Sequence, residues 1–279
     1  MELFMNIVCC LKQVPDTAQI KIDPETNTLI RAGVESILNP YDRVALEQAV
    51  RLKETYGGKV TAISMGPPQA QSVLRQALSM GADRGILLSD RAFAGADTLA
   101  TSYTLTRAID KIASESPVDL ILCGKQAIDG DTAQTGPGIA TRMKITQLTY
   151  VSKVQWLDPE KKEIQVVRKL DKGTEVIRGK LPALLTVELD LVKPRRTGLP
   201  ALIHSLTAPV DVWDAEDISA NKNMVGIKGS PTWVRKISSP PSREGGPKYY
   251  ADPDPEQAVS EFLDFLFAND PFSSKIIKQ

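Results

Sequence analysis

Leu120-Ile121-Leu122-Cys123-Gly124-Lys125-Gln126-Ala127-Ile128-Asp129-Gly130-Asp131-Thr132-Ala133-Gln134-Thr135-Gly136-Pro137 passes from an apolar run into a loop of small and polar residues. Four apolar residues form a run too short for a buried helix and right for a buried strand; a Gly/Asp/Thr-rich loop follows, and then a helix start. Similar apolar runs occur at 7–11, 60–65, 86–88 and 184–187. Between them, residues 41–54, 68–80 and 97–113 carry apolar side chains at helical spacing. Buried strands alternating with amphipathic helices predict an α/β protein with a doubly wound, mostly parallel sheet covered on both faces. Gly57-Gly58 and Gly81 stand where the first two helices must stop.

Two segments depart from the alternation. Residues 20–30, with Asp23-Pro24 and Asn27, read as a hairpin inserted after the first strand. Residues 150–178 alternate apolar and polar about the turn Asp158-Pro159, which predicts an antiparallel extension at one edge of the sheet. The composition shifts after Pro194, and Pro209, Pro231, Pro240-Pro241, Gly245-Gly246-Pro247 and Asp252-Pro253 precede a last helix at 255–268. The expected organisation is a nucleotide-binding domain over 1–208 and an extended C-terminal arm over 209–279, whose helix carries Phe262, Leu263, Phe265, Leu266 and Phe267. Such an arm needs another surface to cover it.

Composition narrows the function. The 279 residues hold 34 Lys+Arg against 34 Asp+Glu, so no general basic surface is available and a nucleic-acid partner is not expected. Hydrophobic residues at 42% and charged residues at 24% describe an ordinary globular protein. Three cysteines and one histidine, without ligand spacing, provide neither a disulfide framework nor a metal centre. In a strand, Cys9 and Cys10 point to opposite faces. The first eleven residues lack the basic start of a signal peptide and are too short to span a membrane, so a cytoplasmic protein without a membrane span is expected. No Ser/His/Asp or Cys/His arrangement marks a catalytic centre, and none is assigned.

The loop after the 120–123 strand lies where open α/β sheets bind nucleotides. Backbone amides at the following helix start, with the Thr132 and Thr135 hydroxyls, suit phosphate, and Gln126 or Gln134 suits an adenine or ribose edge. The other reading is an ordinary loop in which Asp131 or Thr132 caps the helix. Asn39-Pro40-Tyr41-Asp42 opens the first helix, with Asn39 as cap and Pro40 at the first helical position, or with Asn39 and Asp42 at the ligand. Ser64-Met65-Gly66-Pro67 is a third strand-end loop, where Gly66 would let a ligand approach the backbone closely or where an unliganded turn stands.

The chain resembles the β subunit of electron transfer flavoproteins, the family that includes the FixA proteins, over essentially its whole length. Lys12-Gln13-Val14-Pro15-Asp16, Asn39-Pro40-Tyr41-Asp42, Met65-Gly66-Pro67, Met80-Gly81-Ala82-Asp83, the segment from Gly124 to Asp131 and Lys193-Pro194-Arg195-Arg196-Thr197-Gly198-Leu199-Pro200 carry the resemblance. It implies an adenine nucleotide alpha hydrolase-like, Rossmann-like fold and a heterodimer with an α subunit that carries FAD. It also implies an AMP pocket made by Cys10, Asn39, Pro40, Tyr41, Asp42, Met65, Gly124, Lys125, Gln126, Asp129, Gly130, Asp131, Thr132, Ala133, Gln134 and Thr135. Residues 194–206 resemble the family's recognition loop for acyl-CoA dehydrogenase-type flavin dehydrogenases, which implies docking by Leu199 with Arg195 and Arg196 at the rim. The segment His204-Ser205-Leu206-Thr207-Ala208-Pro209 is not basic, unlike the lysine-rich run of the mitochondrial type, which leaves the class of dehydrogenase open.

Gly95-Ala96-Asp97-Thr98-Leu99-Ala100-Thr101-Ser102 looks like the electron-bifurcating branch. That likeness implies FAD in place of AMP, with Asp97, Thr98, Thr101 and Ser102 added to the pocket, NADH as donor, and ferredoxin or flavodoxin as low-potential acceptor. Simple capping by Asp97 explains the same residues. Two other classes are weighed against the flavoprotein: a nucleotide-sensing module, which would carry no flavin, and an adenylating or ATP-hydrolysing enzyme, which would ordinarily carry a glycine-rich loop where Lys12-Gln13-Val14-Pro15 stands. As a lone chain no catalysis is expected, because the chemistry of such a complex belongs to flavin.

Overall fold

The computed structural model describes residues 4–16, 21–22, 29–30, 36–233 and 254–269. The chain divides into two units, 1–237 and 238–279. In the first, β1 (Met5–Leu11) is buried at all seven positions, as a central parallel strand must be. Two short pairs follow: β2 (Gln13–Pro15) with β5 (Ser36–Leu38), and β3 (Lys21–Ile22) with β4 (Leu29–Ile30), both antiparallel. The second pair is the hairpin expected at 20–30; the rest of that segment lies outside the described residues. Then come α1 (Pro40–Tyr56), β6 (Gly58–Met65), α2 (Gln71–Met80), β7 (Arg84–Leu88), α3 (Thr98–Glu115), β8 (Leu120–Gly124) and α4 (Thr135–Met143). The antiparallel ribbon is β9 (Thr146–Asp158), β10 (Glu163–Leu170) and β11 (Gly173–Lys180), and β12 (Ala183–Val187) returns to the centre. After α5 (Leu199–Thr207), the unit adds β13 (Val210–Trp213).

Among the described residues the main sheet has nine strands in the order β11-β10-β9-β12-β8-β1-β6-β7-β13. It is parallel from β9 across to β13, and only β9-β10-β11 run antiparallel, at one edge. Two apolar clusters cover its faces. Cys9 joins Val44, Leu46, Ala49 and Val50 of α1 and Leu74 of α2 on one face, whereas Cys10 joins Leu105, Ile109 and Ile112 of α3 and Ile139 of α4 on the other. The adjacent cysteines thus part as strand geometry requires. Gly81 ends α2 at φ 114°, a conformation that a side chain resists.

The division of the chain falls between Ile237 and Ser238. Residues 210–213 pair with β7, and Trp213, Ala215, Ile218 and Val225 are buried in the second cluster. Four residues after a proline are too short a signal for a strand, and the edge of β7 supplies what the local sequence lacks. The second unit is described only at α6 (Pro255–Asn269), while the Pro/Gly-rich stretch at 240–247 lies outside the described residues. Among the described residues no helix is long and apolar enough to cross a membrane, and no group of His, Cys, Asp or Glu could hold a metal ion.

Candidate nucleotide-binding site

Strand β1 is followed by a helix on one face of the sheet and its neighbour β8 by a helix on the other, so a crevice opens between their carboxyl ends. Asp42, in the first turn of α1, closes the base of that crevice. Its Oδ2 accepts from Lys12 N at 2.8 Å and its Oδ1 from Gly124 N at 2.9 Å, so one carboxylate ties the ends of both strands. Burial pushes its carboxyl up to about 7, against the opposing pull of the two amides and Asn39. Gly124 has no room for a side chain: a Cβ would lie 2.5 Å from both Asp42 Oδ1 and Tyr41 Cβ.

Asn39 is fully buried and occupies the cap position of α1, but its side chain makes no capping bond. The amide instead crosses to the loop after β8, donating to the Gln126 carbonyl at 2.9 Å and accepting from Ile128 N at 3.3 Å. The capping role expected of that side chain is therefore corrected, while Pro40 does stand in the first helical turn. Lys12 Nζ reaches both Asp129 oxygens at 2.8 Å, and Gln126 Nε2 donates to Asp131 Oδ1 at 2.7 Å. Asp131 and Ala133 sit at φ 47° and 53°, so the loop turns twice through the left-handed region. Lys125 leaves the crevice floor to pair with Glu188 at 3.0 Å; although burial opposes its charge, that carboxylate holds the ammonium above its ordinary range.

Neither Asp131 nor Thr132 caps α4. Gln134 holds the cap position without a side-chain bond, and its Oε1 accepts from Thr98 Oγ1 at 2.8 Å. The first-turn amides of α4 thus lack a capping side chain at the crevice mouth. Ser64 Oγ, at the end of β6 beside Leu11, is buried without a hydrogen-bond partner among the described residues. Cys10 and Cys123 stand side by side on β1 and β8. Burial, with Asp42 nearby, pushes both thiols up, so neither is poised as a nucleophile.

The α3 start is arranged differently. Asp97 Oδ1 accepts from Leu99 N and Ala100 N at 2.9 and 3.0 Å, and its Oδ2 from Thr232 Oγ1 at 2.8 Å. Asp97 is a cap and a tie to residue 232. Ser102 is buried, donates to the Leu99 carbonyl at 2.9 Å and lies against α4, so its hydroxyl serves helix packing. Thr98, joined to Gln134, and the half-buried Thr101 are the hydroxyls left at that end. Met65 is half-buried, next to Gly66, whose amide donates to the Leu88 carbonyl at 3.1 Å.

Arg195 and Arg196 differ in kind. Arg196 is exposed. Arg195 Nε donates to Glu47 Oε2 at 2.8 Å and its Nη1 to Glu54 Oε1 at 2.6 Å, so its charge is engaged within the chain. Glu47 is 1% exposed; burial alone would raise its carboxyl, but Arg195 and Arg51 outweigh that and hold it below the ordinary range. On α5, Leu199, Leu202, Ile203 and Leu206 are 68, 46, 58 and 64% exposed. Lys12, Glu47 and Glu188 were not among the candidate site residues: Lys12 had the signal of a polar residue ending an apolar run, whereas the two glutamates had none.

A topological switch point bordered by an uncapped helix start and a braced polar loop defines a doubly wound α/β protein, the class of fold whose ligand sites lie at such points. The family model described as an electron transfer flavoprotein domain matches residues 26–218. The chain is 47% identical to Protein FixA of Azotobacter vinelandii over 96% of each chain. It is also 51% identical to the electron transfer flavoprotein subunit beta of Clostridium acetobutylicum, over 84% of this chain and 88% of that one. To the subunit beta of Megasphaera elsdenii it is 46% identical, over 91% and 95%. The chain belongs to the β-subunit (FixA) family of electron transfer flavoproteins, and its role is in electron transfer.

Proposed function

We propose that this chain, paired with an α subunit in the cytoplasm, holds FAD rather than AMP in the crevice between β1 and β8, and that the heterodimer bifurcates the electrons of NADH. The observation that supports a bound nucleotide most directly is the switch point between β1 and β8, where Asp42 and Asn39 brace the two loops and α4 begins without a side-chain cap. These are groups prepared for a polar ligand. Residues from Gly124 to Thr135, with Cys10, Tyr41 and Met65, fit its adenosine and first phosphate. The Thr98–Gln134 hydrogen bond joins this loop to α3, which sets Thr98 at the end of the loop toward which a longer ligand would extend. Asp97 holds the helix start and Thr232 rather than the ligand, because its oxygens already accept from Leu99 N, Ala100 N and Thr232 Oγ1.

When bound, FAD accepts two electrons as a hydride and passes them on singly, which is chemistry that no side chain here supplies. This chain's contribution is to bind and orient. The loop amides face phosphate, while Lys12 and Lys125, neutralised by Asp129 and Glu188, hold the loop's shape. One electron of each pair goes to an acyl-CoA dehydrogenase-type flavoprotein docked on α5, the other to ferredoxin or flavodoxin. The apolar stripe of α5 and the exposed Arg196 suit such a partner, with hydrophobic contact for affinity and charge for steering.

The test is the flavin and adenine-nucleotide content of the purified heterodimer after denaturation. Two FAD per αβ pair and no AMP are expected. One FAD accompanied by AMP would overturn the FAD assignment and establish the non-bifurcating alternative, and the absence of any flavin would favour a nucleotide-sensing module.

A further inference from the structure

Helix α5 presents its apolar stripe outward, so hydrophobic burial cannot be what fixes its orientation. Of its nine residues only Ser205 is buried. What holds the segment 193–208 is a series of polar ties to α1 and α2. Arg51 Nη2 donates to the Lys193 carbonyl at 3.3 Å, Thr197 Oγ1 lies 3.2 Å from Ser79 Oγ, and Arg75 Nη1 donates to the Ser205 carbonyl at 2.8 Å and to that of Ala208. At the centre is Glu47. Its two oxygens accept Arg51 Nε at 2.7 Å, Arg195 N at 3.0 Å, Arg195 Nε at 2.8 Å and Arg195 Nη2 at 3.3 Å.

Glu47, Arg51 and Glu54 recur at i, i+4 and i+7, on one side of α1. Arg195 lies across the two acids, its guanidinium donating to both. The N-terminal turn of the same helix carries Asp42 at the crevice, five residues or about 8 Å before Glu47 at the helical rise. One rigid helix therefore touches both the crevice and the base of the docking segment.

We propose that Glu47 is a positioning residue for partner docking, and that its buried pairing with Arg195 fixes the angle at which α5 is offered and the separation between the docked partner and the crevice. This rests on the reading of α5 as the docking element. Arg195 acts in it as the latch, not as a steering charge. Preorganisation of this kind removes an ordering cost that the encounter would otherwise meet, so its loss appears in affinity for the partner.

The experiment compares three heterodimers, each assembled with the native α subunit: unaltered, Glu47→Gln and Leu199→Ala. Electron transfer to an acyl-CoA dehydrogenase-type flavoprotein is followed over a range of its concentrations. Glu47→Gln is expected to raise the KM for that partner about fivefold or more, with kcat at saturation and bound flavin unchanged. Combined with Arg195→Gln it should add little, because either change opens the latch. If Leu199→Ala raises KM while Glu47→Gln does not, the latch is overturned and docking through α5 stands. If Leu199→Ala also leaves KM unchanged, the docking reading fails and the latch falls with it. Should Glu47→Gln not assemble, Arg195→Lys decides: it keeps the charge but cannot span both carboxylates, so a raised KM upholds the latch and an unchanged one overturns it.

Discussion

Asp42 carries a testable electrostatic signature. Burial raises its carboxyl from 3.8 to about 7 in the folded chain, so over that interval the folded state binds a proton that the unfolded state does not. The sign follows: the contribution of protonated Asp42 is fully present below the unfolded value and is lost as pH rises through about 7. Relative to Asp42→Asn, the native protein should lose up to about 1.4 kcal/mol of stability per pH unit across this window and level off above it. Urea unfolding of both proteins at several pH values measures the difference, and a pH-independent difference would show that Asp42 titrates normally. At this scale legibility was uneven. Asn39 and Asp42 stood out through their place between strand and helix, though the loop contacts of Asn39 did not. Glu47 looked like any acid four residues before an arginine on a solvated face, and only the arrival of Arg195 from 148 positions along the chain buries it.

Elements were more legible than their surroundings. The alternation at 150–178 does form the antiparallel edge, and where β9 also pairs in parallel with β12 the register shifts as Tyr150 takes φ 57°. For α5 the apolar spacing at 199, 202, 203 and 206 is that of a core helix, yet the stripe faces solvent. Periodicity states that one side needs covering without saying what covers it. Leu199→Ala should therefore leave the fold and bound nucleotide intact while costing roughly 2 kcal/mol of partner binding, about thirtyfold in affinity. Partner-concentration dependence of electron transfer measures it, with the melting temperature as control.

For the molecule as a whole, the division at 237/238 separates the α/β unit from a segment of which α6 is described. Val259 and Leu263 of α6 are 57 and 42% exposed, side chains that an α subunit would cover. We predict that deleting 254–279 weakens the αβ heterodimer by about tenfold or more, with the flavin of the remaining complex retained. Analytical ultracentrifugation across a dilution series measures this, and dissociation at the same concentration as the full-length pair would refute it.

The alternation of strands and helices, the antiparallel edge and the loops that meet at the switch point are all written in local periodicity and turn chemistry. That Val210-Asp211-Val212-Trp213 is a strand depends instead on folding: the open edge of β7 accepts it, Arg84 pairs with Asp211 at 2.7 Å, and Trp213 drops into the core. The pairing of Arg195 with Glu47 and Glu54 is likewise set by the fold. A local pattern records which face of an element is apolar, whereas the partner of a polar group is set by whichever distant segment folding brings within hydrogen-bonding reach.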